Sequence, residues 1–231
     1  MDPRLTRRIR KIFAPFRRNG LKKKFTIFSN NCWGGRVYDK FSLVYTTPTI
    51  GLAMAPCDFV KFVNDYEKYC CEVIVPNNDK QIKINNEHGH YFACLGDLDI
   101  DFIHYRDVED AIEKWNRRKN RIVSDNIIVK MTYITRENLE NDDVLEEFSK
   151  IKYKKILFTN RMELLNRDDL GIVIVPKNLN NYYLDDKNPK KIFYVFNNEF
   201  SVFDKKLKLK DIKKLINSWG IDGYESNSYG S

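Results

Sequence analysis

Polar and apolar residues alternate over residues 24–28, a pattern that predicts a strand. The residues after it, Ser29-Asn30-Asn31-Cys32-Trp33-Gly34-Gly35, are turn-formers or chemically useful side chains. Val37, Phe41 and Tyr45 then recur at helical spacing and predict a short helix over residues 36–45. The same reading predicts strands over 48–54, 72–76, 90–96, 98–104, 125–134, 154–159 and 170–175. It predicts helices over 58–71, 107–121, 142–151 and 209–219, with a polar connection over 77–86. Residues 191–196 fit strand or helix equally. From residue 99 to 159 the order is strand, helix, strand, helix, strand. That order predicts an α/β fold with a mixed, largely parallel sheet flanked by helices, in one domain or two small lobes.

Charge changes the picture at the N-terminus. Residues 1–24 hold ten Lys or Arg and one acid, while the other 207 residues hold thirty basic and thirty-one acidic side chains. The net charge of +8 is therefore a property of the first segment, and a nucleic-acid surface on residues 25–231 is not indicated. Within that segment Leu5, Ile9, Ile12, Phe13 and Phe16 form an apolar stripe, with Pro15 as a kink or stop. Two readings follow. The stripe packs on its own domain or a second subunit, or the segment lies on anionic lipid as peripheral membrane contact. The five cysteines are odd in number and lack a regular framework, which points to a reducing cytoplasm. No apolar run is long enough to span a membrane, and no signal-peptide core follows the basic start.

The chain contains no nucleotide-binding glycine fingerprint, no nucleophile elbow and no paired Cys-x-x-Cys. No cofactor is identified, and three scattered histidines predict no metal site. The candidate chemistry sits in the turn. Cys32 is a possible nucleophile where helix amides lower a thiol pKa. His104, ending a predicted strand, is a general base or a partner for Cys32, oriented by Asp99, Asp101 or Asp125. Ser29, Asn30 and Asn31 can bond sugar hydroxyls, or satisfy their own turn. Trp33 can stack on a sugar ring or sit in the core. Gly34 and Gly35 allow positive φ or close approach of a ligand. Arg118 and Arg121 can hold a phosphate, or complement the end of their helix.

The run Ser29 to Gly35, with Tyr38 and the segment 47–52 (TPTIGL), resembles a bacterial family called DUF1919. Further matches are 99–105 (DIDFIHY), 111–118 (AIEKWNRR), Arg121-Ile122, Asp125-Asn126 and 127–132 (IIVKMT). The resemblance covers residues 25–160, leaving 1–24 outside it and 161–231 divergent. Members are often labelled exopolysaccharide biosynthesis proteins, which implies a cytoplasmic α/β protein connected with cell-surface polysaccharide. The resemblance raises Tyr105, Arg118, Arg121 and Asn126 as substrate-binding residues. The first functional reading is a transferase acting on a glycan or nucleotide-activated sugar. The alternatives are a non-catalytic carbohydrate-binding or assembly factor, and an acyltransferase or hydrolase that depends on Cys32. The oligomeric state is left open.

Overall fold

The computed structural model describes residues 12–83, 89–134, 142–174 and 209–217. The ambiguous segment 191–196 lies outside them. A short helix, α1 (Ala14–Arg18), has Pro15 in its first turn, where the missing N–H costs nothing. Strand β1 (Thr26–Ser29) leads through a turn into α2 (Trp33–Phe41). Helix α2 starts three residues earlier than the spacing predicts and stops at Ser42, which is left-handed (φ 51°).

The predicted strand at 48–54 narrows to β2 (Leu52–Ala53). The predicted helix at 58–71 is two helices, α3 (Pro56–Asn64) and α4 (Tyr66–Cys71), broken where Asp65 leaves helical geometry (φ −138°, ψ 43°). Strands β3 (Ile74–Pro76), β4 (Ile82–Lys83), β5 (Gly89–Leu95) and β6 (Leu98–Tyr105) follow. Helix α5 (Val108–Lys119) is capped by the Asp107 carboxylate, which accepts from Asp110 N at 2.7 Å. The remaining elements are β7 (Ile127–Tyr133), α6 (Asp143–Ser149), β8 (Lys154–Thr159), β9 (Ile172–Ile174) and α7 (Leu209–Asn217).

The strands form two sheets. One is parallel throughout, in the order β1-β7-β8-β9. The other is antiparallel, in the order β2-β6-β5-β3, with β4 paired to β5. This corrects one expectation: β6 does not extend the parallel sheet. The two-residue turn Gly96-Asp97, with Gly96 at φ 60°, folds β6 back on β5, and β2 takes its other edge.

The parallel sheet is covered on both faces, so β7 is buried along its whole length. Ile27, Ile128, Ile156 and Phe158 point toward α2 and α7. Phe28, Val129, Met131 and Leu157 point the other way, into a larger core shared with the inner face of the antiparallel sheet. Phe62 on α3 is edge-on to Phe28 of β1 at 5.2 Å and to Trp115 of α5 at 6.0 Å, inside the core shared by the two sheets. Lys130 and Thr132 fall on the α2 side of β7 by the same alternation, and Lys130 is fully buried there.

Candidate functional site

The carboxyl ends of β1, β7, β8 and β9 lie at one end of the parallel sheet, the end where open α/β sheets carry their ligands. Here the chain leaves β1 through Asn30 and Asn31 to Cys32, the N-cap of α2. Asn30 extends the β1–β7 ladder with its side chain: Nδ2 donates to Thr132 O at 2.9 Å, and Oδ1 accepts from Thr132 N at 2.9 Å. Its backbone carbonyl accepts from Met54 N at 3.1 Å. Asn31 Oδ1 accepts from Ser29 Oγ, Trp33 N and Lys130 Nζ, each at 3.1 Å, and Nδ2 donates to Thr132 Oγ1 at 2.9 Å. Lys130 Nζ also bonds Thr132 Oγ1 and lies 4.8 Å over the Phe158 ring. Ser29, Asn30 and Asn31 are buried, and these carboxamides spend their bonds on protein groups.

Trp33 is buried in the core beside Val37 and Phe41. Gly34 and Gly35 lie inside the first turn of α2, and neither has a positive φ. Of the two uses that glycine allows here, the left-handed backbone is not the one taken. A Cβ on Gly34 would stand 3.2 Å from Ile27 Cγ2, so the residue lets α2 press against β1.

Cys32 is half-buried. Tyr105 is close enough that a thiolate at Cys32 would help keep the phenol protonated; burial is the main cause of that rise, and Arg118 opposes it. The Tyr105 hydroxyl donates to Ile50 O and accepts from Arg118 Nη1 at 2.8 Å. The same Nη1 reaches Ile50 O at 3.4 Å, and the guanidinium lies 5.0 Å over the Tyr45 ring. Arg118 is only 8% exposed, and among the described residues no carboxylate pairs with it.

His104 is placed by a β-bulge. Ile103 N and His104 N both bond Gly51 O, at 2.8 and 3.4 Å, so two residues of β6 oppose one. The extra residue leaves Tyr105 inside and His104 exposed. Gly51 has φ 71°, and a Cβ there would meet the Tyr105 ring at 3.1 Å and His104 Cβ at 3.5 Å.

Three predicted residues lie elsewhere. Asp125 is exposed and Asn126 buried at the amino end of β7, roughly 20 Å from Asn30 and Asn31 by strand length. Asn126 bonds Lys24 O, Ile216 O and Lys154 Nζ. So neither shares a ligand with the turn. Arg121 is exposed in the turn after α5, its N–H bonded to Arg118 O.

A second polar group pairs Asp101, offered above as an orienter of His104, with His90, a pairing the sequence reading did not make. On the outer face of the antiparallel sheet His90 Nδ1 meets Asp101 Oδ2 at 2.7 Å. They sit beside a cavity of about 350 Å³ lined by Met54, Ala55, Asn77, Asp99 and Asp101. Burial raises the Asp101 carboxyl above its ordinary range, against the pull of His90. Its Oδ1 is buried with no partner among the described residues. The signal was the hairpin register: Gly96-Asp97 pairs Phe92 with Asp101, and His90 follows on the same face. Among the described residues no group of His, Cys, Asp and Glu is arranged to hold a metal ion.

A family profile described as a domain of unknown function (DUF1919) matches residues 5–167. The match begins well inside the basic N-terminal segment, which the resemblance had left outside. An uncharacterized protein of Haemophilus influenzae (strain ATCC 51907 / DSM 11121 / KW20 / Rd) is 26% identical over 137 residues. That span is 59% of this chain and 62% of the relative, so the chain covers less than two thirds of the relative's length.

Proposed function

The chain belongs to the DUF1919 family, whose description carries no reaction, and from that premise we propose a transferase acting on a phosphate-activated sugar or glycan. Its site is the carboxyl end of the parallel sheet. The observation that carries the reading is Arg118, a buried guanidinium held by neutral oxygens and aromatic faces. Desolvating an unmatched cation costs several kcal/mol, and a bound anion offsets that cost. The amino end of α2 and the buried Lys130 ammonium add positive potential at the same end of the sheet.

In this reading Arg118 holds the leaving phosphate. The acceptor hydroxyl oxygen attacks the anomeric carbon, its proton passes to His104, and the carbon–oxygen bond to phosphate breaks with the electron pair leaving on phosphate. Ser29, Asn30 and Asn31 set the shape of the turn instead of bonding the sugar directly. The connection with cell-surface polysaccharide rests on the family resemblance. A cytoplasmic setting agrees with five cysteines that form no disulfide, and among the described residues no helix is long and apolar enough to cross a membrane.

A specific observation favours a second reading. Cys32 is half-buried at the amino end of α2, where it is the N-cap residue. A thiol so placed suits a nucleophile for acyl transfer or hydrolysis.

The test is thermal unfolding with nucleotide sugars, nucleoside diphosphates and acyl-CoAs, because a ligand of the folded state raises the melting temperature. Nucleotide sugars should raise it for the native protein and for Arg118→Lys, and leave Arg118→Gln unmoved. His104→Ala should bind but not turn over. Stabilisation only by acyl-CoAs, abolished by alkylating Cys32, would transfer the assignment to the thiol. Binding without turnover in the native protein would make it a carbohydrate-binding factor, and no stabilisation by any of these ligands would sink the site.

A further inference from the structure

Helix α1 is mounted the wrong way round for a self-packing helix. Surface helices of globular proteins turn their apolar stripe inward and their charges out. Ile12 and Phe13, just before the helix, and Phe16 within it are 68%, 50% and 76% exposed, and Ala14 is the buried residue of the helix. The arginines face the protein. Arg17 Nη1 donates to Lys40 O at 3.3 Å, Arg18 Nε donates to Phe41 O at 2.8 Å, and Arg18 Nη2 donates to Ser42 O. These are the carbonyls that the end of α2 leaves without intrahelical partners. The chain after α1 is held from the other side by α7: Lys213 Nζ donates to Asn19 O at 2.6 Å, and Lys22 N to Asn217 Oδ1 at 2.9 Å. The segment is thus fixed to the domain by its polar groups and by Leu21, with Ile12, Phe13 and Phe16 pointing away.

We propose that this face docks the protein on an anionic lipid bilayer. Charge selects the partner. Arg4, Arg7, Arg8, Arg10 and Lys11 precede the exposed residues in the chain, Lys22, Lys23 and Lys24 follow them, and residues 1–24 contain one acid. A second copy would bring a second strongly basic segment to the same face, and like charges oppose that pairing. A nucleic acid satisfies the charge and leaves three large apolar side chains in water. A bilayer satisfies both: the aromatic and aliphatic groups enter the boundary between headgroups and acyl chains, and the basic groups reach the headgroups at about 1 kcal/mol each. The geometry also agrees with the reading of the site. The arginine anchors grip the carboxyl end of α2, and Cys32 caps its amino end, roughly 14 Å away along nine residues. Docking through α1 leaves the candidate site uncovered.

The experiment is co-sedimentation of the full chain with vesicles of phosphatidylcholine and with vesicles of phosphatidylcholine mixed with phosphatidylglycerol. The proposal expects binding to the mixed vesicles at least about tenfold tighter than to the neutral ones, weakening as salt is raised. Phe13→Ser with Phe16→Ser should lower it about tenfold or more, with the melting temperature unchanged because both side chains are exposed. Equal binding to neutral vesicles, no binding, or full binding by the double variant would each overturn it. A dimer seen by light scattering and lost in the double variant would give the face to a second copy. Duplex DNA binding that survives the double variant, without vesicle binding, would give the basic residues to nucleic acid. None of these outcomes depends on a sugar ligand, so this proposal and the transferase reading fail separately.

Discussion

At the amino end of the parallel sheet Lys154 Nζ meets Asn126 Oδ1 at 3.0 Å; at the carboxyl end Lys130 Nζ meets Asn31 Oδ1 at 3.1 Å. The pairs are chemically alike and differ in what they join. Asn126 and Lys154 bond the carbonyls of Lys24, Leu215 and Ile216, so they tie the entry to β1 and the end of α7 to the sheet. Their polarity is accounted for by the fold. Asn31 and Lys130 bond Ser29, Trp33 and Thr132, all in the turn or on the strand beside it. Lys154 keeps some contact with water, and Lys130 has none. Lys130 thus places a fully buried ammonium at the carboxyl end, bonded to Asn31 across 99 residues of chain. It stands at the sheet end that also holds Cys32, and Arg118 with Tyr105 bonds Ile50, which lies against Gly35 in the first turn of α2.

The contrast is broken or sharpened most strongly by alanine at each carboxamide. Asn31→Ala removes one acceptor of a buried ammonium and the side-chain bond to Trp33 N, and should cost roughly 3 kcal/mol or more. Asn126→Ala, at an end that water reaches in part, should cost roughly 1–3 kcal/mol. Urea unfolding with an unchanged m-value measures both. Equal losses would mean that both pairs are fold staples of the same weight.

Next in size is a pair of glycine substitutions near the site. Gly51→Ala forces a left-handed φ on a Cβ that would sit 3.1 Å from the Tyr105 ring, and should cost about 1–3 kcal/mol. It should also weaken any anion bound at Arg118, because Arg118 donates to the Tyr105 hydroxyl. Gly35→Ala meets Ile50 only at ordinary contact distances of 3.4 and 3.5 Å, inside a helix where alanine is favoured by roughly 1 kcal/mol. Its melting temperature should hold or rise. A neutral Gly51→Ala would show that the bulge does not position Tyr105.

These glycines also mark how far the sequence could be read. Strands β1, β7 and β8 and helix α5 were legible because their apolar patterns are long and local. The membership of β6 was not, because helical spacing after it suggested a crossover while the Gly96-Asp97 hairpin set its partner. The turn at Asn30 and Asn31 was legible as a special place. That its carboxamides close a ladder with Thr132, 102 and 101 residues away, was not legible, because such a contact has no local signature. Arg118 could be read as a phosphate ligand or as the end of its helix, and its burial against Tyr45, Ile50 and Tyr105 comes from packing that no local pattern shows. Asp125, offered as an orienter of His104, and Asn126, raised by the resemblance, sit at the amino end of β7, and the strand's length holds them apart from the turn.

The smallest effect is a pH dependence that separates the lysine at the amino end from the sheet's aromatic neighbours. Burial first, and the charge of Lys23 second, lower the Lys154 pKa below its ordinary value of 10.5. The unfolded chain then holds that proton at pH values where the folded chain has lost it, so stability rises with pH on the approach to 10.5. Lys155, lowered by burial, acts in the same direction. Tyr66 and Tyr69 act oppositely. Burial pushes both phenols from 10.0 up to about 12. Below pH 10 their contribution is fully present, and it is lost as pH climbs from 10 toward 12 while the unfolded phenols ionise. The melting temperature should therefore rise gently below pH 10 and fall above it. Lys154→Met should flatten the rise by on the order of 1 °C, a small change because the side chain is partly exposed and screened. Tyr66→Phe should soften only the fall. A Lys154→Met profile that matches the native one would show that the amino-end lysine is not desolvated by its staple, and the asymmetry between the two sheet ends would have to rest on Arg118 alone.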